Sequence, residues 1–524
     1  MTPTPQTSRA IIGLEIHVQL RTRTKLFCAC PLVFDAPPNT CVCPVCLGHP
    51  GALPVINRKA FELALLTAMA LNCRIARHTK WDRKSYYYPD LPKNYQISQY
   101  DLPLATEGYF DIPQEDEDHR VRIRRVHLEE DAGKNIHDTP GRTLVDLNRA
   151  GTPLLEIVTE PDLTSADQAY RFCVELQRLV TYLGVSEGNM KKGQMRFEPN
   201  VNVAIECDGR EARTPIAEIK NLNSFRAVRD AIAYEIERQA ATWRDDPRYI
   251  LKTAENENRG WNAEKGVTDY QRTKETAQDY RYFPDPDLAP VEVDQTMLQR
   301  VAEKLPELPT TRRRRFVDQF NLSDQDVETI VAGRAAADLF ERVIAAGASV
   351  AIATGQFINT WLKLANDRDA DVADLGVTAE QMAELAAITA DGTINKSAVS
   401  RLATVLADQN APRHGSDPSV TPATGATPAV TATQVESPAM PSSPRELAET
   451  LGLIQVRDAG ATREWVDQAF RENEQAVRDA LSNPKKAKAA AGFLRGQVMR
   501  VSGGRADPKL VQSLIDTRLR ELSS

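Results

Sequence analysis

The stretch Ile11-Ile12-Gly13-Leu14-Glu15-Ile16-His17-Val18-Gln19-Leu20 decides how this chain is read. Ile12, Leu14, Ile16, Val18 and Leu20 share one parity, and Glu15, His17 and Gln19 the other. That alternation predicts a strand with one face in a core. A carboxylate and an imidazole then project side by side from the opposite face. The device recurs. Leu128-Glu129-Glu130-Asp131 and Leu154-Leu155-Glu156-Ile157-Val158 set acidic groups in apolar, strand-like runs. In Arg196–Ile205, Val201, Val203 and Ile205 take one face, and Arg196, Glu198, Asn200 and Asn202 the other. Ala217-Glu218-Ile219-Lys220 places Glu218 and Lys220 together. One polar strand face is ordinary surface. Several of them before residue 225 predict a sheet floor studded with hard oxygen ligands, which suits Mg²⁺. Cations alongside would offset a polyphosphate, so the pattern points to phosphoryl transfer. No P-loop or dinucleotide-binding fingerprint is present, and Gly188–Gly193 is a weak phosphate-loop candidate.

Five of the eight cysteines fall between Cys28 and Cys46. Cys28-Ala29-Cys30 and Cys43-Pro44-Val45-Cys46 form two pairs about a dozen residues apart, a spacing that can place four thiolates tetrahedrally around zinc. Cys41 is either a substitute for a neighbour or a bystander. Four sulfur ligands close the site to water, so the expected role is structural. This distribution, with no signal-peptide pattern and no apolar run long enough to span a bilayer, predicts a cytoplasmic protein rather than a disulfide scaffold.

At 524 residues and net charge −7, the chain exceeds one core and is not a general polyanion binder. Residues 60–72 read as a helix. Trp81–Gln96 mixes aromatics, prolines and cations, and predicts a rigid exposed loop presenting Lys84 and Lys93. From about residue 300 the pattern is helical, with Arg312–Arg315 expected on a solvated face and a capping box at Thr378–Gln381. Residues 407–444 hold seven prolines and no aromatic, Leu or Ile, which predicts a flexible linker. Between Ser482 and Arg520, nine Lys/Arg stand against Asp507 and Asp516; nine minus two is +7. A basic helical terminus of that kind suggests a polyanion partner.

With these segments in view, the chain closely resembles the B subunits of aspartyl/glutamyl-tRNA(Asn/Gln) amidotransferases, the GatB family. The matching stretches are Gly13–Leu20, Cys28–Gly51, Tyr88–Gln99, Glu129–Lys134, Asp146–Asp162, Glu218–Phe225, Asp279–Leu288 and Gly492–Met499. The resemblance implies an α+β fold: a sheet-based cradle domain with a zinc knuckle, followed by a helical domain and a mobile helical tail domain that contacts tRNA. The expected bounds are cradle 1–295, helical domain 296–406, linker 407–444 and tail 445–524.

The implied chemistry is ATP-dependent phosphorylation of the side-chain carboxylate of Glu-tRNA(Gln) or Asp-tRNA(Asn), then displacement of phosphate by ammonia. The amidase subunit of the complex would supply the ammonia, a small third subunit would clamp the two, and the cognate aminoacyl-tRNA synthetase is a further candidate partner. Carried over by position, Glu15, His17, Glu130, Glu156 and Glu218 resemble the catalytic metal and phosphate residues. Magnesium is expected on Glu15, His17, Glu130 and Glu218, with Glu129, Glu198 and Lys220 lining the cofactor site. Lys84 and Lys93 resemble residues on the ammonia path, and Cys28, Cys30, Cys43 and Cys46 the zinc ligands. Glu198 stands where the family typically has Asp, and Lys191-Lys192 where an acidic pair is common. The alternative from another class is a non-catalytic tRNA-binding scaffold. Convergence of Glu15, His17, Glu130 and Glu218 in one cleft discriminates the two, and divergence of these residues counts for the scaffold.

Overall fold

The computed structural model describes residues 7–114, 118–137, 140–207, 210–273, 277–410, 443–456, 458–482 and 486–523. It is a mixed α/β molecule of two compact units, Met1–Arg312 and Arg313–Ser524. Among the described residues no helix is long and apolar enough to cross a membrane.

The first unit is built around β1 (Thr7–Gln19), as its alternation requires. Ile12, Leu14, Ile16 and Val18 are all at most 1 % exposed, while Glu15, His17 and Gln19 keep partial access. Each buried aliphatic stabilises the fold by about 1.5–3 kcal/mol relative to exposure. The other strands of this sheet are β2 (Arg74–Ile75), β5 (Ala105–Ile112), β6 (His119–Glu130), β7 (Pro153–Thr159), β8 (Met195–Cys207), β9 (Arg210–Arg213), β10 (Ala217–Lys220), β11 (Glu257–Asn262) and β12 (Val267–Thr273). Their order is β12-β11-β10-β8-β1-β7-β6-β5-β2, with β9 beside β8. All pairings are antiparallel except β10–β11.

Apolar residues of α1 (Arg58–Ala70), α2 (Ala166–Tyr182) and α3 (Phe225–Asp245) join the apolar strand face in one core, leaving the polar face uncovered by these helices. Ser165 and Ser224 cap the last two, accepting from the backbone N–H groups of Gln168 and Ala227.

One irregularity sets the site. Along β6 the buried apolar residues are Val121 and Ile123, then Val126 and Leu128, so the phase slips by one residue. A bulge absorbs the slip: Val158 faces Arg125 but Thr159 faces Ile123, leaving Arg124 extra. Glu107, at φ +55°, accompanies the same slip on neighbouring β5. Without it His127 and Glu129 would point into the core. With it they join the polar face, and Glu130 takes the opposite parity.

Three expectations change. Trp81–Gln96 is not an exposed loop but a hairpin of β3 (Asp82–Ser85) and β4 (Tyr95–Ser98), with β13 (Phe283–Pro284) on its other edge and Trp81 buried. The strand registers hold Lys84 and the turn directs Lys93 inward, with only 8 % of its side chain exposed. The Gly188–Gly193 segment is no phosphate cradle: the N–H groups of Gly188, Asn189, Lys192 and Gly193 already donate to Ser186, Gln194, Asn189 and Met190. Arg312 is buried against Glu307 rather than solvated, and Arg313 and Arg315 pair with Glu328 and Glu341.

The first compact unit extends past residue 295 through α4 (Gln295–Ala302) and into α5 (Pro309–Phe320). In the second unit, the Thr378–Gln381 capping box opens α6 (Ala379–Ala390) with both reciprocal hydrogen bonds. Residues 407–410 belong to α7 (Lys396–Asn410), not to a linker, and Pro444 begins α8 (Pro444–Thr450). The rest of the expected linker, 411–442, lies outside the described residues. Helices α9 (Ala459–Glu472), α10 (Ala487–Val501) and α11 (Pro508–Ser523) share a small core of Val466, Leu494, Val498, Val511 and Ile515.

Candidate active site

His17 is the centre of the polar face. Its ladder partners are Glu156 on β7 and Arg196 on β8, and Glu156 in turn faces His127 on β6. Nε2 of His17 lies 3.3 Å from Glu129 Oε1 and 3.8 Å from Glu156 Oε2, and Nδ1 lies 3.8 Å from Glu198 Oε1. His127 Nε2 is 3.2 Å from the same Glu156 oxygen. Lys220 forms ion pairs with Glu198 at 2.7 Å and Glu218 at 2.8 Å. Asn200 donates to Glu15 at 3.0 Å. Asp131 is held by Arg196 at 2.9 Å and Arg149 at 3.5 Å.

These charges are buried together, and their proton affinities show it. Burial opposes a charged His17, but its bond to Glu129 and the charges of Glu129, Glu198 and Glu156 outweigh that, raising its pKa from 6.5 to about 9. Burial works against the Glu156 and Glu129 carboxylates too. The charge of His127 holds Glu156 well below the usual carboxylate range, and the His17 bond lowers Glu129. Lys84 sits over the Tyr280 ring at 4.8 Å. Burial disfavours its ammonium, yet Glu129, Tyr282 and Glu156 raise its pKa.

The expected set is therefore regrouped. Of Glu15, His17, Glu130 and Glu218, only His17 lies in the compact donor group; its companions are Glu129 and Glu156, with ligand atoms all within 4.8 Å of one another. Glu130 leaves on the core-side parity, where it pairs with Lys93 and accepts from the Ile97 N–H at 2.9 Å. Glu15 and Glu218 remain on the polar face but are bonded to Asn200 and Lys220. The extra methylene of Glu198 lets it span Lys220 and His17.

His127 and Arg125 join the site without having been expected in it, although Arg125-Val126-His127-Leu128-Glu129 carries the period-2 signal; Arg196 joins from the polar face its alternation gave it. His17, Glu129 and Glu156 suit a divalent cation: two are carboxylates, and His17 Nδ1 and Glu129 Oε2 are buried without a hydrogen bond.

A second cluster is of another kind. Sγ atoms of Cys28, Cys30, Cys43 and Cys46 lie within 4.8 Å of one another, and Cys41 is outside the set. Lys25 is wholly buried with Nζ 3.6 Å from Cys46 Sγ. A buried ammonium demands an anion. The Cys46 thiol is lowered to about 4, by its bond to Cys28 first and against burial, and burial with bonding raises Cys28 and takes Cys30 to about 11. Four sulfurs beside a fixed cation fit a zinc ion.

The polar face of a ten-stranded sheet thus gathers imidazole and carboxylate donors of the kind enzymes use, and a four-cysteine cluster lies in the same unit. Residues 10–299 match the GatB/GatE catalytic domain, and residues 434–519 the GatB domain. The B subunit of the aspartyl/glutamyl-tRNA(Asn/Gln) amidotransferase of Moorella thermoacetica is 42% identical over 97% of this chain and 99% of its own length. Its counterpart from Thermomicrobium roseum is 42% identical over 98% of each, and that from Rhodopirellula baltica 47% identical over 74% of this chain and 79% of its own. The chain belongs to the GatB family, the catalytic B subunits of tRNA-dependent amidotransferases, which are glutamine-using carbon–nitrogen ligases.

Proposed function

We propose that the polar sheet face activates the side-chain carboxylate of Glu-tRNA(Gln), Asp-tRNA(Asn) or both, and then forms the amide. The convergence of His17, Glu129 and Glu156 supports this reading over a scaffold, which has no use for a buried carboxylate–imidazole group. A substrate carboxylate oxygen attacks the γ-phosphorus of ATP and ADP leaves. Ammonia nitrogen then attacks the acyl carbon, and phosphate departs in place of an oxide that could not. His17, Glu129 and Glu156 would hold magnesium, which supplies positive charge against the polyphosphate. Lys220, with Glu198 and Glu218, stands where it can offset phosphate charge, and Glu15 with Asn200 extends that edge. Lys84, under its tyrosines, and Lys93 border the route for ammonia from the amidase subunit, with the small third subunit as clamp. The four cysteines bind structural zinc, and the tail beyond the linker contacts tRNA through its basic helices. Aminoacyl-tRNA as substrate puts the reaction in the cytoplasm, within reach of the charging synthetase.

The test is amidation by this chain co-expressed with its amidase partner, given each mischarged tRNA separately with Mg-ATP and glutamine. Amide on either tRNA, lost in His17→Ala while tRNA still binds, supports the reading. Tight tRNA binding without amidation from a folded complex returns the scaffold.

A further inference from the structure

His127 has no role in the chemistry above, yet it is one of the most enclosed polar groups of the site, 2 % exposed on β6. The ladder places His17, Glu156 and His127 in one row across β1, β7 and β6. Glu156 Oε2 is thus approached from both sides, by His17 Nε2 at 3.8 Å and His127 Nε2 at 3.2 Å. The other nitrogen of His127, Nδ1, is buried without a hydrogen-bond partner among the described residues. Leaving a buried polar atom unmatched is costly. A histidine serving only as packing would be better replaced by an apolar side chain, so the side facing Glu156 must matter.

The other neighbour of Glu156 cannot do the same task. A His17 nitrogen that ligates a cation no longer donates to a carboxylate, and Arg125 stands 3.9 Å away on Oε1. That leaves His127 as the close donor to Oε2 once a metal is bound.

We propose that His127 is a positioning residue: its Nε2–H donates to Glu156 Oε2 and holds that carboxylate ready to ligate a divalent cation with His17 and Glu129, without ligating it itself. Hydrogen-bonded supports of metal ligands commonly change metal affinity by about 10–100-fold. The inference rests on the metal reading above.

The test uses Mn²⁺ as the probe, titrated into the co-expressed complex and followed by the EPR signal of free Mn²⁺, alongside melting temperature and tRNA affinity. His127→Leu keeps bulk without a donor and should weaken Mn²⁺ binding by about tenfold or more. His127→Gln carries an amide nitrogen near the Nε2 position and should recover most of it; His127→Asn, whose amide sits near Nδ1, should not. Equal Mn²⁺ affinity in wild type and His127→Leu, or failure of Gln to rescue in protein that melts normally, overturns the positioning role. If Glu129→Gln also binds Mn²⁺ like wild type, the metal reading itself has failed, which is a different result from the loss of His127 alone.

Discussion

The two candidate metal sites of the first unit are made in opposite ways. The cysteine cluster takes all its donors from one short stretch, Cys28–Cys46, with a buried lysine beside Cys46. The His17 group draws on residues 17, 129 and 156, carried by three adjacent strands, and keeps 15 % of the His17 side chain open. Sulfur on all four corners leaves no position for a substrate, which supports the proposed staple. Mixed imidazole and carboxylate donors suit a divalent cation that can also take substrate oxygens, which supports the proposed chemistry at the second.

The contrast is sharpest within a single dipeptide. Glu129 joins His17, whereas Glu130 pairs with Lys93 on the other parity. Glu129→Gln should therefore lower ATP-dependent amidation by at least about a hundredfold, the scale set by losing about 2.7 kcal/mol of transition-state stabilisation. Its melting temperature should fall less than that of Glu130→Gln, because Glu156 stays close to His17 and still offsets the Lys84 charge. Glu130→Gln should do the reverse, destabilising by about 3 kcal/mol because Lys93 is left buried without its anion. Single-turnover amidation and thermal melts of both variants decide the matter. Equal activity losses in the two would dissolve the distinction between chemical and structural carboxylates.

The staple is tested by Cys43→Ser. Zinc content and melting temperature should fall together, because metal binding of this kind is folding free energy. Amidation per folded molecule should change by less than about twofold, well under 1 kcal/mol. A large loss of activity with zinc retained would make the knuckle part of the catalytic site.

Proton competition separates the sites next. His17 must lose its proton to ligate, and its pKa is raised from 6.5 to about 9, since the bond to Glu129 and the surrounding carboxylates overcome burial. Below about 9 the proton therefore opposes the metal. Mn²⁺ affinity at this site should rise with pH, by up to about tenfold between about pH 7 and pH 8, and level off above the pKa. A flat profile would remove His17 from the ligand set.

How legible each site was in the sequence follows from how it is made. Local spacing carried the four cysteines, and the Ile12–Leu20 alternation carried the central strand, because both depend only on neighbours along the chain. The membership of the His17 group depended on register between distant strands. Glu129 and Glu130 are adjacent, both acidic, and equally plausible until the phase of β6 is known. That phase turns on one extra residue, Arg124, whose trace in the sequence is the slip from Val121 and Ile123 to Val126 and Leu128. The same slip would have found His127. The hairpin at Asp82–Ser98 misled for a related reason: aromatics and prolines do suit exposed loops, but partners far along the chain order it, Phe283–Pro284 pairing with its first strand, Tyr280 packing on Lys84 and Glu130 holding Lys93.

The smallest expected effect concerns Glu198. Its carboxylate reaches Lys220 at 2.7 Å with one oxygen and comes within 3.8 Å of His17 Nδ1 with the other. Glu198→Asp withdraws both oxygens by one methylene, and the two contacts cannot both follow. Lys220 keeps Glu218 at 2.8 Å, so its ammonium stays anchored and the sheet need not rearrange. One of the charges that raise the His17 pKa moves farther from the ring, while the closer Glu129 remains. The two changes partly cancel: weaker hold on Lys220, easier release of the His17 proton to a metal. Amidation should fall by no more than about threefold, roughly 0.7 kcal/mol, carried in KM for ATP rather than kcat. A loss as large as that of Glu129→Gln would move Glu198 from the edge of the ligand group to its centre.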